Sequence, residues 1–551
     1  MSGRKINEAL MGRALLWLAW LCPAALTVSH ATNLTDAVAR AVVSAGLAGL
    51  VAFLPGRCWQ VACAVSVAAL PFTLWWCGAA AAGGTGPGYD GVLAVTNTNW
   101  NEALGAARYL VTNLAFISVI TIHGLLLLLA CRLALRQRKM ADPRQVQVAL
   151  LAAVLPLTLV SLLVAVQPHQ PTVTFYPLFG AATVATPLGS AENIIEDFIA
   201  IKIHSLGVQR DPPYVRLAAR DVPALTQSML AIFMLGESVR AAAYGPNQRA
   251  GGPASQQLAQ RIEAGLGSWL PAVCAASNGT RFSVPMLLTA TPPEFAEQAR
   301  RSPTILGILK AAGFSTAWIA NNHGGANALE RGHDLYGGNF IADPDRFNVN
   351  GTGIWKYDEQ MLPMVRGFAA RGTGPKAMIL HLIGSHFAYE TRYPAADFAA
   401  EPAGLSRDEL EDLRYQRSLE YGAGMILQIA SLLDQTAAPA FAVYTGDHGE
   451  NLPSDHNGLL LHMGPRTSQK DGMTTALVIW NQAMADTGRP GRMLFKLLRA
   501  PEITHVDVAN LYLALAGARV GPVEPTANPT TWAKVAVGDE YRVVPCSALQ
   551  P

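Results

Sequence analysis

The sequence predicts an N-terminal domain of five transmembrane helices followed by a periplasmic α/β domain built on a mostly parallel sheet. Three observations carry this. Half of the 551 residues are hydrophobic and only 15% are charged, with the apolar excess concentrated toward the N-terminus, as in a membrane part joined to a soluble part. Basic residues cluster in particular loops of that apolar part. From Met229 onward, short apolar runs alternate with helical patterns, and several runs end in Glu, His or Asp.

Five apolar stretches of near-spanning length fall at about 14–30, 38–55, 58–80, 110–131 and 147–166. A cleaved signal peptide is the rival reading of the first, and the further apolar segments that follow directly argue against it. Arg4, Lys5 and Arg13 precede the first span, and Arg132, Arg136, Arg138, Lys139 and Arg144 crowd the loop between the fourth and fifth. Both groups belong on the cytoplasmic side, and Arg57 between the second and third spans then falls there too. Five spans deliver everything after Gln167 to the far side of the membrane. The organisation is therefore a membrane domain over 1–167, a linker over 168–223 and a periplasmic catalytic domain over 224–551. In the linker, Ile194 to Ile203 reads as an amphipathic helix lying along the bilayer. The outside loop 83–107 carries Thr98, Trp100 and Glu102, read either as contacts to a lipid headgroup or as an interfacial anchor in a solvated loop.

In the second part, strands are expected at Met229–Leu235, Phe314–Ala320, Ala377–Ile383, Ala440–Thr445 and Thr475–Trp480. Helices are expected at Thr304–Ala312, Asp408–Gln435 and Asp507–Leu515. The net charge of +2 argues against a nucleic-acid binder that works by phosphate neutralisation. Of seven cysteines only Cys274 and Cys546 lie in the soluble part, so there is room for one bridge at most and no disulfide framework.

The run Ala440–Thr445 stops at Gly446-Asp447-His448-Gly449-Glu450. A carboxylate and an imidazole at the mouth of a strand make a metal-ligand pair, although Gly and Asp also suit a surface turn. Glu237, His323 and His386 stand at the ends of other expected strands. Such a convergent set favours the metal reading, with Zn²⁺ suited to N and O donors and Mn²⁺ where oxygen dominates. Thr280, in a Gly-containing loop before an apolar helical run, is either that helix's N-cap, which spacing alone favours, or a nucleophile. Glu450 orients a ligand or belongs to the turn. His381, inside a strand, reads as a buried partner, and His204, His456 and His505 as structural residues.

Gly236-Glu237-Ser238, Gly279-Thr280 with Ser283-Val284-Pro285, Gly384-Ser385-His386 with Arg392-Tyr393-Pro394, and Asp447-His448-Gly449-Glu450 with His462 occur in that order. This series resembles the bacterial phosphoethanolamine transferases that modify lipid A and the lipopolysaccharide core. They are membrane members of the alkaline phosphatase–sulfatase superfamily. The resemblance covers nearly the whole chain. It implies an inner-membrane enzyme that moves phosphoethanolamine from phosphatidylethanolamine to lipid A or a core glycolipid. It implies zinc held by Glu237, Thr280, Asp447 and His448, with Thr280 as the nucleophile that carries the group. His386 and His462 would contact the transferred phosphate, bind a second zinc or move protons, and Thr98, Glu102 and His323 match positions facing substrate.

The chain departs from the lipid A-modifying branch at several points. Ala94 stands where that branch has Asn, His323 and Ala326 stand where it has Ser and Lys, and Ala276 and Met286 replace a cysteine pair. The run Gly384 to Pro394 is closer to the core-sugar-modifying branch. The alternatives are phosphoglycerol transfer within the same superfamily, or a non-catalytic envelope-assembly relative. No Cys/Ser-x-Pro-x-Arg stretch surrounds Thr280, which argues against sulfate-ester hydrolysis.

Overall fold

In the computed structural model the described residues are 3–28, 45, 48–49, 52, 58–83, 110–111, 113–136, 227–244, 252–299, 302–321, 346–348, 356–455, 461–462, 468–518, 532–537 and 540–549. The chain divides into two compact units, Met1–Asp211 and Pro212–Pro551.

The first unit contains α1 (Gly3–Val28), α2 (Cys58–Ala68), α3 (Leu70–Gly83) and α4 (Leu114–Arg136). Among the described residues, α4 is the one unbroken helix long and apolar enough to cross a bilayer. The stretch expected as a single span over 58–80 is a pair of helices bent by 59°. Pro71 explains the bend: it has no N–H to donate, and its ring crowds the preceding turn. Leu16, Ala19, Trp20, Trp59, Leu127 and Ala130 share one buried cluster. Gly12 lets Trp59 approach, because a Cβ there would lie 2.7 Å from the indole ring. Most of the second expected span, the fifth span, the loop with Thr98 and Glu102, and the linker helix lie outside the described residues.

The second unit is a three-layer α/β/α domain. Its strands are β1 (Leu230–Gly236), β2 (Gly267–Cys274), β3 (Ser315–Ala320), β4 (Arg346–Asn348), β5 (Lys376–His381), β6 (Ala440–Gly446) and β7 (Met473–Trp480), ordered β2-β7-β6-β1-β5-β3-β4. β7 is antiparallel to both β6 and β2, so six strands share one direction and one opposes them. Strand residues alternate between two cores. Ala231, Phe233, Leu235, Ile379 and Val443 face one; Ile232, Met234, Met378, Leu380 and Ala442 face the other. This period-2 split is what a sheet covered on both faces requires.

The first face is covered by α6 (Thr280–Leu288), α7 (Ile305–Ala311) and α11 (His505–Ala516). The second is covered by α5 (Pro253–Glu263), α8 (Leu362–Ala369) and the long α9 (Arg407–Asp434). Between α9 and α11 runs α10 (Arg489–Leu497). Local chemistry fixes the helix starts. Ser406 with Glu409 caps α9, Thr504 with Asp507 caps α11, and Thr304 caps α7. On the first face Tyr512 of α11 meets Phe233 and Phe441 edge-on or tilted, with centroids 5.2 and 5.6 Å away. Truncating such a buried aromatic costs about 3–5 kcal/mol.

Two strands of the main sheet, and the two of a separate hairpin, were not expected. β2 contains Pro271, which argues against a strand in sequence, yet β2 is an edge strand with a register shift between Leu270 and Val273. An edge and a bulge are where a sheet tolerates proline. β4 is only three residues long. A separate hairpin, β8 (Trp532–Val537) with β9 (Glu540–Pro545), leads to Cys546, which is disulfide-bonded to Cys274 at the end of β2.

Candidate metal centre and nucleophile

Strand register builds the site. β1 and β6 are parallel neighbours, with Gly236 opposite Gly446. The next residues, Glu237 and Asp447, therefore emerge side by side at the carboxyl ends, where open α/β sheets gather ligands. On the other side of β1, β5 ends opposite Leu235 at His381. From there Ser385 N–H donates to Glu237 O at 3.0 Å, which brings the His386 loop to the same place.

Glu237, Asp447 and His448 are fully buried. His448 Nε2 lies 3.4 Å from Glu237 Oε1 and 3.3 Å from Asp447 Oδ2. His448 Nδ1–H donates to Gly449 O at 2.7 Å, which aims Nε2 at the carboxylates. Thr280 Oγ1 is 3.2 Å from His448 Nε2 and 3.4 Å from each oxygen of Glu237. Thr280 is not the cap favoured by its spacing. Gly279 occupies the N-cap of α6 without a side-chain cap, and Thr280 is the first helical residue. Its hydroxyl faces the acidic cluster while the helix N-terminus supplies positive potential beside it.

His462 completes the cluster. Its Nδ1 lies 3.3 Å from Glu450 Oε1, and Glu450 is fully buried, so this carboxylate orients an imidazole. The His462 ring lies 4.1 Å from the His448 ring and 6.2 Å from the His386 ring, centroid to centroid. His386 Nδ1 pairs with Phe387 O at 2.7 Å. His381 is buried within β5, edge-on to Trp318. His323, like Thr98 and Glu102, lies outside the described residues.

Burial and mutual contact shift the ionisation of Glu237, Asp447 and His448. Burial, then the charge of Glu237, pushes Asp447 up to about 8. Burial acts the same way on Glu237, but the hydrogen bond and charge of His448 outweigh it and hold Glu237 well below the usual carboxylate range. Burial also opposes charge on His448, yet Asp447 and Glu237 raise it to about 10. Asp447 Oδ2 is buried and faces His448 Nε2 at 3.3 Å without a well-formed hydrogen bond. Donor atoms of Glu237, His448 and His462 lie within 4.8 Å of one another, a group able to hold a metal ion. A buried carboxylate oxygen left over among N and O donors fits a divalent cation.

A supporting set was not evident in the sequence. Ser238 adopts φ 57° and its N–H reaches Asp447 Oδ1 at 3.1 Å. Arg240 Nε–H donates to Glu450 O at 2.7 Å and the same guanidinium pairs with Asp455. Asp358 accepts from Asn321 Nδ2, Ile383 N and Gly384 N at 2.8, 3.0 and 3.0 Å, fixing the start of the His386 loop. A charged residue three places beyond Glu237 was the available signal for Arg240; Asp358 offered none.

The family model described as Sulfatase matches residues 230–518, more than half of the chain. The chain belongs to the sulfatase family. Within this family it is similar to phosphoethanolamine transferase EptC of Escherichia coli O18:K1:H7, 26% identical over 159 residues, and to phosphoethanolamine transferase CptA of Salmonella typhimurium, 28% identical over 161 residues. Each match spans 27% of this chain and 27% of the relative. The integral membrane lipooligosaccharide phosphoethanolamine transferase A of Neisseria meningitidis has a similar fold, with TM-score 0.60 and 16% identity over 100% of this chain and 99% of that one. Sulfatase-family membership accounts for the α/β domain with its reversed strand.

Proposed function

We propose that the chain is a zinc-dependent phosphoethanolamine transferase of the bacterial inner membrane, its catalytic domain periplasmic, which moves the group from phosphatidylethanolamine to lipid A or a core glycolipid through phospho-Thr280. The observation that carries this reading is the hydroxyl of Thr280, within 3.4 Å of both Glu237 oxygens and of His448 Nε2, at an uncapped helix N-terminus. The local match to phosphoethanolamine transferases supports the choice of group.

Glu237, Asp447 and His448, with Thr280 Oγ1, would hold the metal, and His462 stands within reach of it. When bound, zinc supplies Lewis-acid stabilisation of anionic oxygens and lowers the pKa of the threonine hydroxyl. Thr280 loses its proton to water and attacks phosphorus; the P–O bond to diacylglycerol breaks. His386 or His462 gives a proton to the departing oxygen. An acceptor hydroxyl, giving its proton to the imidazole that was left neutral, or an acceptor phosphate oxygen, with water then returning a proton to that imidazole, attacks the same phosphorus; the bond to Thr280 Oγ1 breaks and Thr280 regains its proton from water. The α6 N-terminus and the imidazoles offset the negative charge of the phosphoryl oxygens throughout.

Mass spectrometry of the purified protein after exposure to phosphatidylethanolamine tests this. A phosphoethanolamine adduct on the Thr280 peptide is expected, with release of diacylglycerol. An adduct of phosphoglycerol mass, formed from phosphatidylglycerol alone, would overturn the donor; no adduct at Thr280 would overturn the mechanism. Comparing envelope lipids with and without the protein then separates lipid A from core sugar as acceptor.

A further inference from the structure

His505 lies behind the site and is almost wholly buried. It is the first helical residue of α11, after the Thr504 cap. Its ring makes two directed contacts to different segments. Ala276 N–H donates to Nδ1 at 3.1 Å, and Nε2 meets Gly446 O at 3.0 Å. Together these fix one tautomer: Nδ1 accepts, so Nε2 carries the hydrogen and donates to the carbonyl. Burial, the largest influence, pushes His505 down to about 3, so the ring stays neutral.

The two segments are the ones whose spacing matters. Ala276 begins the loop that carries Thr280, and Gly446 ends the strand that presents Asp447 and His448. A second link runs parallel. Ser283, one turn into α6 from Thr280, donates its hydroxyl hydrogen to Asp447 O and lies 3.3 Å from His505 Nδ1. Consecutive carbonyls, Gly446 and Asp447, are thus both held by groups tied to the nucleophile segment.

We infer that His505, with Ser283, is a positioning residue that sets the separation between the Thr280 hydroxyl and the Asp447–His448 pair. The inference rests on the phospho-Thr280 reading. A displacement of about 1 Å in such an arrangement can lower turnover roughly 100-fold without altering substrate affinity.

The full-length protein in detergent or nanodiscs is assayed with phosphatidylethanolamine for covalent labelling of Thr280 in a single turnover, alongside zinc content and thermal unfolding. His505→Ala is expected to slow labelling roughly 100-fold, with KM and zinc content within about twofold of wild type. His505→Asn, which can still accept from Ala276, and His505→Gln, which can still donate to Gly446, are each expected to recover part of the rate. Ser283→Ala breaks the parallel link and is expected to slow labelling on its own, which keeps the test open should His505→Ala fail to fold. Labelling at the wild-type rate in the folded variants, or a defect confined to KM, overturns the inference. Normal transfer of phosphoethanolamine to envelope glycolipid by Thr280→Ala, read by mass spectrometry of the lipids, would instead overturn the proposed mechanism, and the two failures are read separately.

Discussion

Thr280 Oγ1 and His448 Nε2 lie 3.2 Å apart although 168 residues separate them in the chain. A threonine at the first position of a helix normally has water to face. This one is aimed into a pocket of two buried carboxylates and an imidazole. Replacing it with alanine leaves the fold intact, because the cap of α6 is Gly279. Thr280→Ala is expected to lower transfer by roughly 1,000-fold or more and to abolish covalent labelling. Thr280→Ser, which keeps the hydroxyl, should retain measurable labelling. Near-normal transfer by the alanine variant would show that the nucleophile lies elsewhere.

Metal removal should act on stability as well as on rate. Two buried carboxylates and a histidine are packed together away from water, and a divalent cation that binds them only in the folded protein stabilises that state. At about 100 times its dissociation constant a ligand adds ~2.7 kcal/mol, which for a domain of this size shifts the melting temperature by roughly 4 °C. Dialysis against a chelator is expected to lower the melting temperature by about that amount and to stop transfer, with Zn²⁺ restoring both. Asp447→Asn should purify with less metal. A melting temperature indifferent to chelation and to added zinc would count against the metal centre.

Strand-end chemistry was readable in the sequence because it is local: an apolar run followed at once by Gly-Asp-His-Gly-Glu marks both the strand and its mouth. The two cores were readable too, since alternate residues of β1, β5 and β6 are apolar on both faces. What was hidden depends on distant partners. β2 contains a proline that only its edge position excuses. The cap reading of Thr280 failed because capping is decided by which residue is extended, and Gly279 takes that conformation. His505 looked like any core histidine, since its partner Ala276 lies 229 residues away.

Arg240 joins the loop after β1 to the loop after β6. Its Nε–H holds Glu450 O, its guanidinium pairs with Asp455, and its backbone N–H meets Tyr415 OH at 3.1 Å. Tyr415 OH in turn donates to Ser238 O at 2.7 Å. Arg240→Ala leaves Asp455 largely buried without its guanidinium partner, and a loss of about 2–4 kcal/mol is expected. Arg240→Lys should recover little, because a lysine lacks the planar fork that serves two acceptors in different directions. Thermal unfolding of both variants checks this; equal stability of Lys and wild type would mean that charge alone matters.

Gly384 offers a test of how tightly the His386 loop is tied to Glu237. Its φ is +51°, and an added Cβ would lie 2.7 Å from Glu237 N and 3.0 Å from Glu237 O. These are backbone atoms, so a side chain cannot be accommodated by a rotamer change. Gly404 provides the control: its φ is +88°, yet an added Cβ would meet nothing within 4 Å. Gly404→Ala therefore carries only the left-handed backbone cost, about 1–2 kcal/mol, and should leave metal content unchanged. Gly384→Ala carries that cost and must also displace the Glu237 backbone from its place beside Asp447 and His448. It is expected to unfold at lower temperature than Gly404→Ala, to bind less zinc and to lose transfer. If the two alanine variants match in both stability and zinc content, the close approach of Gly384 to Glu237 has no part in holding the site.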